Sequence, residues 1–226
     1  MTQQEIKTIA LVGGGVIGGG WATRCLANGL NVVVTDPRPE SRDYVERMID
    51  EAWPILEAAD LIAESGGQLS FVDNIEAAVA QADFVQENVP EREDLKIAIH
   101  QEISENVRAD VVIASSSSGL LPSRLQSQCK HPERLLIGHP FAPVYLLPLV
   151  EVVGSEQTSS VAVSRAGAFY RSIGMRPLHV RREIEAYIAD RLQESLYREA
   201  LHLIDQGVAT VAEIDAAVTS PIQTLV

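Results

Sequence analysis

The chain has few of the features that staple a protein, anchor it, or charge it for a polyanionic partner. Two cysteines in 226 residues, Cys25 and Cys129, offer neither a disulfide framework nor a zinc-ligand spacing, which fits a reducing compartment. No metal site is expected. No stretch runs apolar for the roughly 18 residues that a membrane helix needs. The opening, Met1-Thr-Gln-Gln-Glu-Ile-Lys7, shows no positive region leading into an apolar one. A cytoplasmic protein without membrane contact is therefore expected. Basic residues are scarce: 18 Lys and Arg stand against 31 Asp and Glu, a formal charge of −13, with no basic run. Nucleic-acid binding depends on clustered cations that release counterions, so no nucleic-acid partner is expected. The same field disfavours acidic, phosphate-rich substrates. Internal repeats and low-complexity stretches are absent.

What the chain does have is apolar material, 46% of its residues, enough for one large domain and part of a second. From residue 6 to about residue 180, short apolar runs alternate with longer stretches of helical periodicity. Parallel sheets covered on both faces by crossover helices give that pattern. Strands are predicted at Ile9 to Val12, Val32 to Thr35, Phe84 to Asn88, Val111 to Ser115 and Leu135 to Gly138, with weaker ones around Ser70, Val150 and Leu178. Helices are predicted at Val16 to Asn28, Glu40 to Glu64, Ile75 to Ala80, Leu95 to Val107 and Thr158 to Ser172. Asp73 with Glu76 reads as a capping box, and Gly29 as the left-handed end of the first helix. Beyond Pro177 the pattern turns helical, from about Glu185 to Gln206 and from Val211 to Val218. The expected architecture is an α/β doubly wound sheet over residues 1–182, followed by a short all-helical domain over 183–226.

In Ile9-Ala-Leu-Val-Gly-Gly-Gly-Val-Ile-Gly-Gly-Gly-Trp21 an apolar strand meets a glycine cluster that at once becomes a helix. This is the setting of a Rossmann dinucleotide turn. Gly13 permits the tight turn, Gly15 lets the backbone approach a pyrophosphate, and Gly18 lets helix and strand pack closely. The helix start at Val16 and Ile17 supplies oriented N–H donors. Asp36 ends the second strand 21 positions after Gly15, where a carboxylate accepts both ribose hydroxyls and repels a 2′-phosphate. NAD is the cofactor expected. Arg38, two residues on, is a cation able to pair with a 2′-phosphate.

Four later segments carry a family resemblance: Ala82-Asp-Phe-Val-Gln-Glu-Asn-Val-Pro-Glu91, Ser115-Ser-Ser-Ser-Gly-Leu-Leu-Pro122, Gly138-His-Pro-Phe-Ala-Pro-Val-Tyr-Leu-Leu-Pro-Leu-Val-Glu-Val152 and Tyr187-Ile-Ala-Asp-Arg-Leu192. With the glycine turn, they resemble the 3-hydroxyacyl-CoA dehydrogenase superfamily, most closely its L-carnitine dehydrogenase branch, over nearly the whole chain to about Ala217. The resemblance implies a homodimeric oxidoreductase that turns a 3-hydroxyl into a ketone. It makes His139 the general base, Glu151 the carboxylate that orients its imidazole, and Ser118 the hydroxyl that binds the reacting oxygen. Glu91 and Lys96 match positions lining the cofactor side, and Ser115, Ser116 and Ser117 are expected in turn and cap roles. His100, His131, His179 and His202 have no such context.

The sequence also departs from the pattern. The hydroxyacyl-CoA enzymes carry asparagine where Asp190 stands here, and in this the carnitine branch resembles the chain. An acidic group facing the site opposes a CoA tail and attracts a trimethylammonium, for which Phe141, Tyr145 and Tyr187 supply aromatic faces. L-carnitine is thus the favoured substrate and a short 3-hydroxyacyl-CoA the alternative. Ala142 replaces an asparagine usual between Phe and Pro in this motif, removing an amide beside His139. Family members continue in several more helices where this sequence stops at Val226. A shortened helical domain raises a reading of another class, a non-catalytic NAD-binding or structural protein.

Overall fold

The computed structural model describes residues 5–63 and 66–219, and the chain divides into two compact units, Met1–Glu185 and Ala186–Val226. Glu64, the predicted end of the second helix, lies outside the described residues, as do the opening residues 1–4 and the closing stretch 220–226.

In the first unit the elements follow in the order β1 (Thr8–Val12), α1 (Val16–Ala27), β2 (Asn31–Thr35), α2 (Ser41–Ala58), β3 (Leu69–Phe71), α3 (Ile75–Val79), β4 (Phe84–Glu87), α4 (Glu93–Asn106), β5 (Val112–Ser115), α5 (Pro122–Leu125), β6 (Leu135–Pro140), β7 (Leu149–Val153), α6 (Ser160–Ser172) and β8 (Arg176–Val180). The sheet runs β3-β2-β1-β4-β5-β6-β7-β8. Strand order reverses between β1 and β4, and in such sheets ligands bind at that point, beyond the carboxyl ends of the strands. The first six strands are parallel, whereas β7 runs antiparallel to β6 and carries β8 with it. This reversal is a correction to the all-parallel pattern expected.

The sheet forms where it does because helices bury both of its faces. Ile9, Ala10 and Leu11 of β1 are all fully buried, so both alternating sides of the strand are covered. On one side Phe84 of β4 stacks on Phe169 of α6 with centroids 4.3 Å apart, and Trp21 of α1 meets Tyr170 at 5.4 Å. Such pairs contribute about 0.5–1.5 kcal/mol each beyond their buried area, and these fasten α1, β4 and α6 together.

Local details correct the sequence reading at element ends. Asn74, not Asp73, caps α3, its side chain accepting from the Ala77 N–H at 2.8 Å. The two residues are adjacent and chemically alike, so pattern alone misplaces the cap by one. The second helix stops at Ala58, since Asp60 takes a left-handed φ of 56° and Leu61, counted into the helical periodicity, emerges exposed.

In the second unit α7 (Ala189–Asp205) begins later than the expected Glu185 because Ala186 and Tyr187 both have positive φ, 59° and 45°. α8 (Val211–Thr219) follows. Neither helix holds a buried residue, and Leu192, Leu196, Tyr197 and Leu201 of α7 are exposed.

A β-carbon at Gly18 would sit 1.9 Å from the Gly13 carbonyl oxygen, backbone against backbone, with no flexible side chain to yield. Gly18→Ala is therefore expected to cost about 1–3 kcal/mol of stability, read by denaturant unfolding, and to weaken NADH binding at the distorted turn.

Candidate active site

Gly13 turns the chain out of β1 with φ 101° while its N–H donates to the Thr35 carbonyl at 2.8 Å. A β-carbon there would lie 2.8 Å from the Asn88 carbonyl carbon and oxygen. At Gly15, by contrast, the nearest atom to such a carbon is Arg38 Nη2 at 3.7 Å, so this stretch of backbone is approachable. No side chain caps the start of α1 and its first turn holds no acid, which leaves the positive end of the helix dipole facing the space beyond β1. That space is a cavity of ≈ 780 Å³ lined by Gly13, Gly15, Val16, Ile17, Asp36, Glu91, Lys96 and Ser118. Crowding at Gly13 and Gly18 beside an open Gly15 and an uncapped helix end fits a dinucleotide pyrophosphate.

Asp36 sits at the rim with its carboxylate already engaged. Oδ2 accepts from the Gly14 N–H at 2.7 Å and from Arg38 Nη2 at 2.9 Å. Oδ1 accepts from the Arg38 backbone N–H at 2.9 Å and from its Nε at 3.0 Å. Burial works to raise the acid constant of this carboxyl, but the Arg38 side chain and the backbone donors outweigh it and hold it below the usual carboxylate range. Sequence reasoning left this carboxylate open for ribose and did not foresee that Arg38 would fill it.

Behind the cavity lies a polar cluster that sequence reasoning missed. Glu87, fully buried at the end of β4, accepts from Lys96 Nζ at 2.8 Å, from the Val89 N–H at 2.6 Å and from Ser115 Oγ at 2.5 Å. The Nε2 atom of His100 lies 3.1 Å from Glu87 Oε2 but outside hydrogen-bonding alignment. Burial would raise Glu87, yet the adjoining His100 ring and the Lys96 ammonium overcome this and hold it at about 2. Lys96 is thus a buried ion-pair partner on the cavity wall, reaching Glu91 Oε2 at 3.5 Å. Glu91 fastens the loop after β5, with Oε1 accepting from Ser117 Oγ and from the N–H groups of Ser118 and Gly119 at 3.1 and 3.2 Å. Ser118 itself is exposed at the cavity mouth.

The serine run contributes further. Ser116 Oγ accepts from Trp21 Nε1 at 3.0 Å and Gln86 Nε2 at 2.8 Å, and donates to Asn88 Oδ1 at 2.8 Å. Gln86 also donates to the Gly138 carbonyl at 3.1 Å and accepts from Tyr170 Oη at 2.7 Å. Ser115, Ser116 and Ser117 are therefore network members, more than the turn and cap residues expected. The signal for them was present in Gln86-Glu87-Asn88, three polar residues ending an apolar strand.

One residue beyond Gly138, β6 places His139 directly opposite Glu151 of β7. The pair is buried, with Nδ1 3.0 Å from Glu151 Oε2. With Nδ1–H donated to the carboxylate, Nε2 is the acceptor nitrogen of the neutral ring. The Phe141 ring stands 4.8 Å from the imidazole, centroid to centroid. Tyr145 and Ala142 line a separate cavity of ≈ 340 Å³ with Tyr44 of α2. Tyr187 and Asp190 belong to the second unit, Asp190 in the first turn of α7. Among the described residues no group of His, Cys, Asp and Glu forms a metal site, and no helix is long and apolar enough to cross a membrane.

Comparison with known proteins gives two family matches: residues 8–184 fit the 3-hydroxyacyl-CoA dehydrogenase NAD binding domain, and residues 187–223 the C-terminal domain of the same name. The chain is 54% identical over 215 residues to an L-carnitine dehydrogenase of Pseudomonas aeruginosa and 53% identical to one of Burkholderia mallei, covering 95% of this chain and 67% of each relative. Among solved structures it resembles a 5-formyl-3-hydroxy-2-methylpyridine 4-carboxylic acid 5-dehydrogenase, an NAD+ dependent dismutase. That likeness has a TM-score of 0.91 and 32% identity, over 97% of this chain and 72% of that one.

Breaking a buried ion pair strands its partner, so Lys96→Met is expected to cost about 3–5 kcal/mol in urea unfolding. Acid should expose the same network. The unfolded carboxyl titrates near 4.5 and the folded one at about 2. The stability it lends is therefore complete above about pH 5 and is lost as pH falls through the folded value. Glu87→Gln should flatten the stability profile across that window; an unchanged slope would remove Glu87 from the acid response.

Proposed function

The chain belongs to the 3-hydroxyacyl-CoA dehydrogenase family, and on that premise we propose that it oxidises the secondary 3-hydroxyl of a small substrate to a ketone with NAD, the substrate being L-carnitine and the product 3-dehydrocarnitine. The observation that carries the chemistry is the buried His139–Glu151 pair, set across two strands at 3.0 Å. The choice of carnitine is supported by relatives about half identical that bear the name L-carnitine dehydrogenase.

When bound, NAD supplies the acceptor for the hydride that leaves the carbinol carbon. His139 Nε2 takes the hydroxyl proton as the carbonyl forms. Glu151 fixes the tautomer that makes this possible and stabilises the imidazolium produced, in a pocket where little water screens the interaction. Ser118 is assigned to the reacting oxygen. The cofactor is assigned to Gly13, Gly15 and Gly18, the helix start at Val16 and Ile17, and Asp36, with Glu91 and Lys96 behind the nicotinamide side. Phe141, Tyr145 and Asp190 are assigned to the trimethylammonium, whose fixed positive charge suits aromatic faces and a carboxylate. In this reading residues 1–182 bind the cofactor, residues 183–226 are the start of a helical substrate and dimerisation domain, and the protein works as a cytoplasmic homodimer.

Formation of NADH, followed by its absorbance, tests the substrate: L-carnitine should support turnover, and turnover with a short 3-hydroxyacyl-CoA alone would replace carnitine with the thioester. NADH binding without turnover of either compound would favour the non-catalytic reading. His139→Ala should lower kcat by at least about a hundredfold while the NADH dissociation constant stays within about twofold; ordinary turnover in that variant would remove His139 as the base. Ala142→Asn restores the amide usual in the family, and a rise in kcat would show that the alanine limits the rate.

A further inference from the structure

We propose that Arg38 sets the cofactor preference at the adenosine end of the cavity: its guanidinium holds the Asp36 fork until a ribose displaces it, and once displaced it serves as the cation beside the ribose 2′ position. This rests on the NAD reading above and adds a specificity-determining residue to it.

A carboxylate offers about four acceptor positions. At Asp36 four donors occupy them: the Gly14 and Arg38 backbone N–H groups at 2.7 and 2.9 Å, and Arg38 Nε and Nη2 at 3.0 and 2.9 Å. The two backbone donors are part of the turn and stay. The two guanidinium donors approach one oxygen each, the two-point arrangement by which a vicinal ribose diol would be held. Guanidinium and diol therefore compete for the same positions. Arg38 also overhangs the cofactor path, its Nη2 being the nearest atom to a β-carbon built on Gly15.

The balance of that competition follows from exposure. The side chain of Asp36 is 6% exposed, whereas that of Arg38 is 55% exposed, so the cation leaves into water while the carboxylate keeps its backbone bonds. Ion pairs with an exposed partner are worth about 0–1 kcal/mol, which corresponds to at most about a fivefold reduction in affinity for the incoming ribose. Against a 2′-phosphate the sign is opposite. Asp36 alone would face that dianion with like charge at contact range, and Arg38, still tethered two residues away, can pair with it in a fork geometry suited to phosphate. Arg38 thus lowers affinity for NADH slightly and raises affinity for NADPH, narrowing a preference that Asp36 alone would make wide.

Titrating the full chain with NADH and with NADPH, and following nicotinamide fluorescence without substrate, tests this directly. Arg38→Ala is expected to tighten NADH about twofold to fivefold and to weaken NADPH about tenfold. Arg38→Lys, which keeps the charge but not the fork, should tighten NADH similarly while retaining more of the NADPH affinity than alanine does. Thermal melts of each variant establish that it is folded. If Arg38→Ala leaves both constants within twofold, or weakens both equally, Arg38 is only a strut of the turn and the proposal fails. Failure of the unmodified chain to bind NADH would instead overturn the NAD reading on which the proposal stands, a result distinct from an unmoved ratio.

Discussion

A carboxylate removed from water has to be matched on nearly every side, and Glu87 draws its partners from three pieces of chain: Lys96 and His100 of α4, Ser115 of β5 and the N–H of Val89. Meeting that demand fixes how the chain leaves β4. The next residue, Asn88, presses its carbonyl against Gly13, so the geometry of this exit also sets the room available to the glycine turn. Lys96 extends the same constraint to Glu91, which gathers the loop after β5. One buried charge thus ties together the loops after β4 and β5 and braces the turn after β1 at the sheet's switch point.

The His139–Glu151 pair depends on a different constraint, the reversal of β7. Were β7 to continue the parallel pattern, a crossover connection would be needed and Glu151 would fall far from His139 in register. Running antiparallel, β7 sets the two residues opposite each other on one face. Val150 and Val152 on either side are buried in the core and hold that register, because a slip by one residue would send Glu151 to the opposite face and a valine to His139. Gln86 reaches the same strand from below through the Gly138 carbonyl, so the histidine's backbone is fastened one residue before the ring.

Much of the fold was legible in the sequence. Each predicted strand corresponds to an observed one, and the glycine turn sits between β1 and α1 as its pattern required. Periodicity reports burial, and burial is what parallel strands share. Reversal of β7 was not legible, since alternation is the same for either strand direction. The Glu87 cluster was hidden for another reason: strand patterning treats Gln86, Glu87 and Asn88 as a polar ending, and only three-dimensional proximity to Lys96 and Ser115 makes them a network. Nor did spacing indicate that Arg38 would turn back onto Asp36, which is a matter of side-chain rotamer and not of sequence position.

The buried polar groups of the sheet and the carboxylate at the cavity rim are built on opposite principles. Around Glu87, and around His139 and Glu151, the polar groups are buried and engage one another, so moving one strands another and rearrangement is costly. At Asp36 the partner is a half-exposed guanidinium that water can replace at little cost. Rigidity is useful where a proton must move along one direction and orientation carries the rate. A replaceable partner is useful where a ligand has to enter, because the carboxylate stays satisfied before binding and after it. On the proposed reading a change at Arg38 is felt first at Asp36, because the described side-chain bonds of Arg38 all end on that carboxylate.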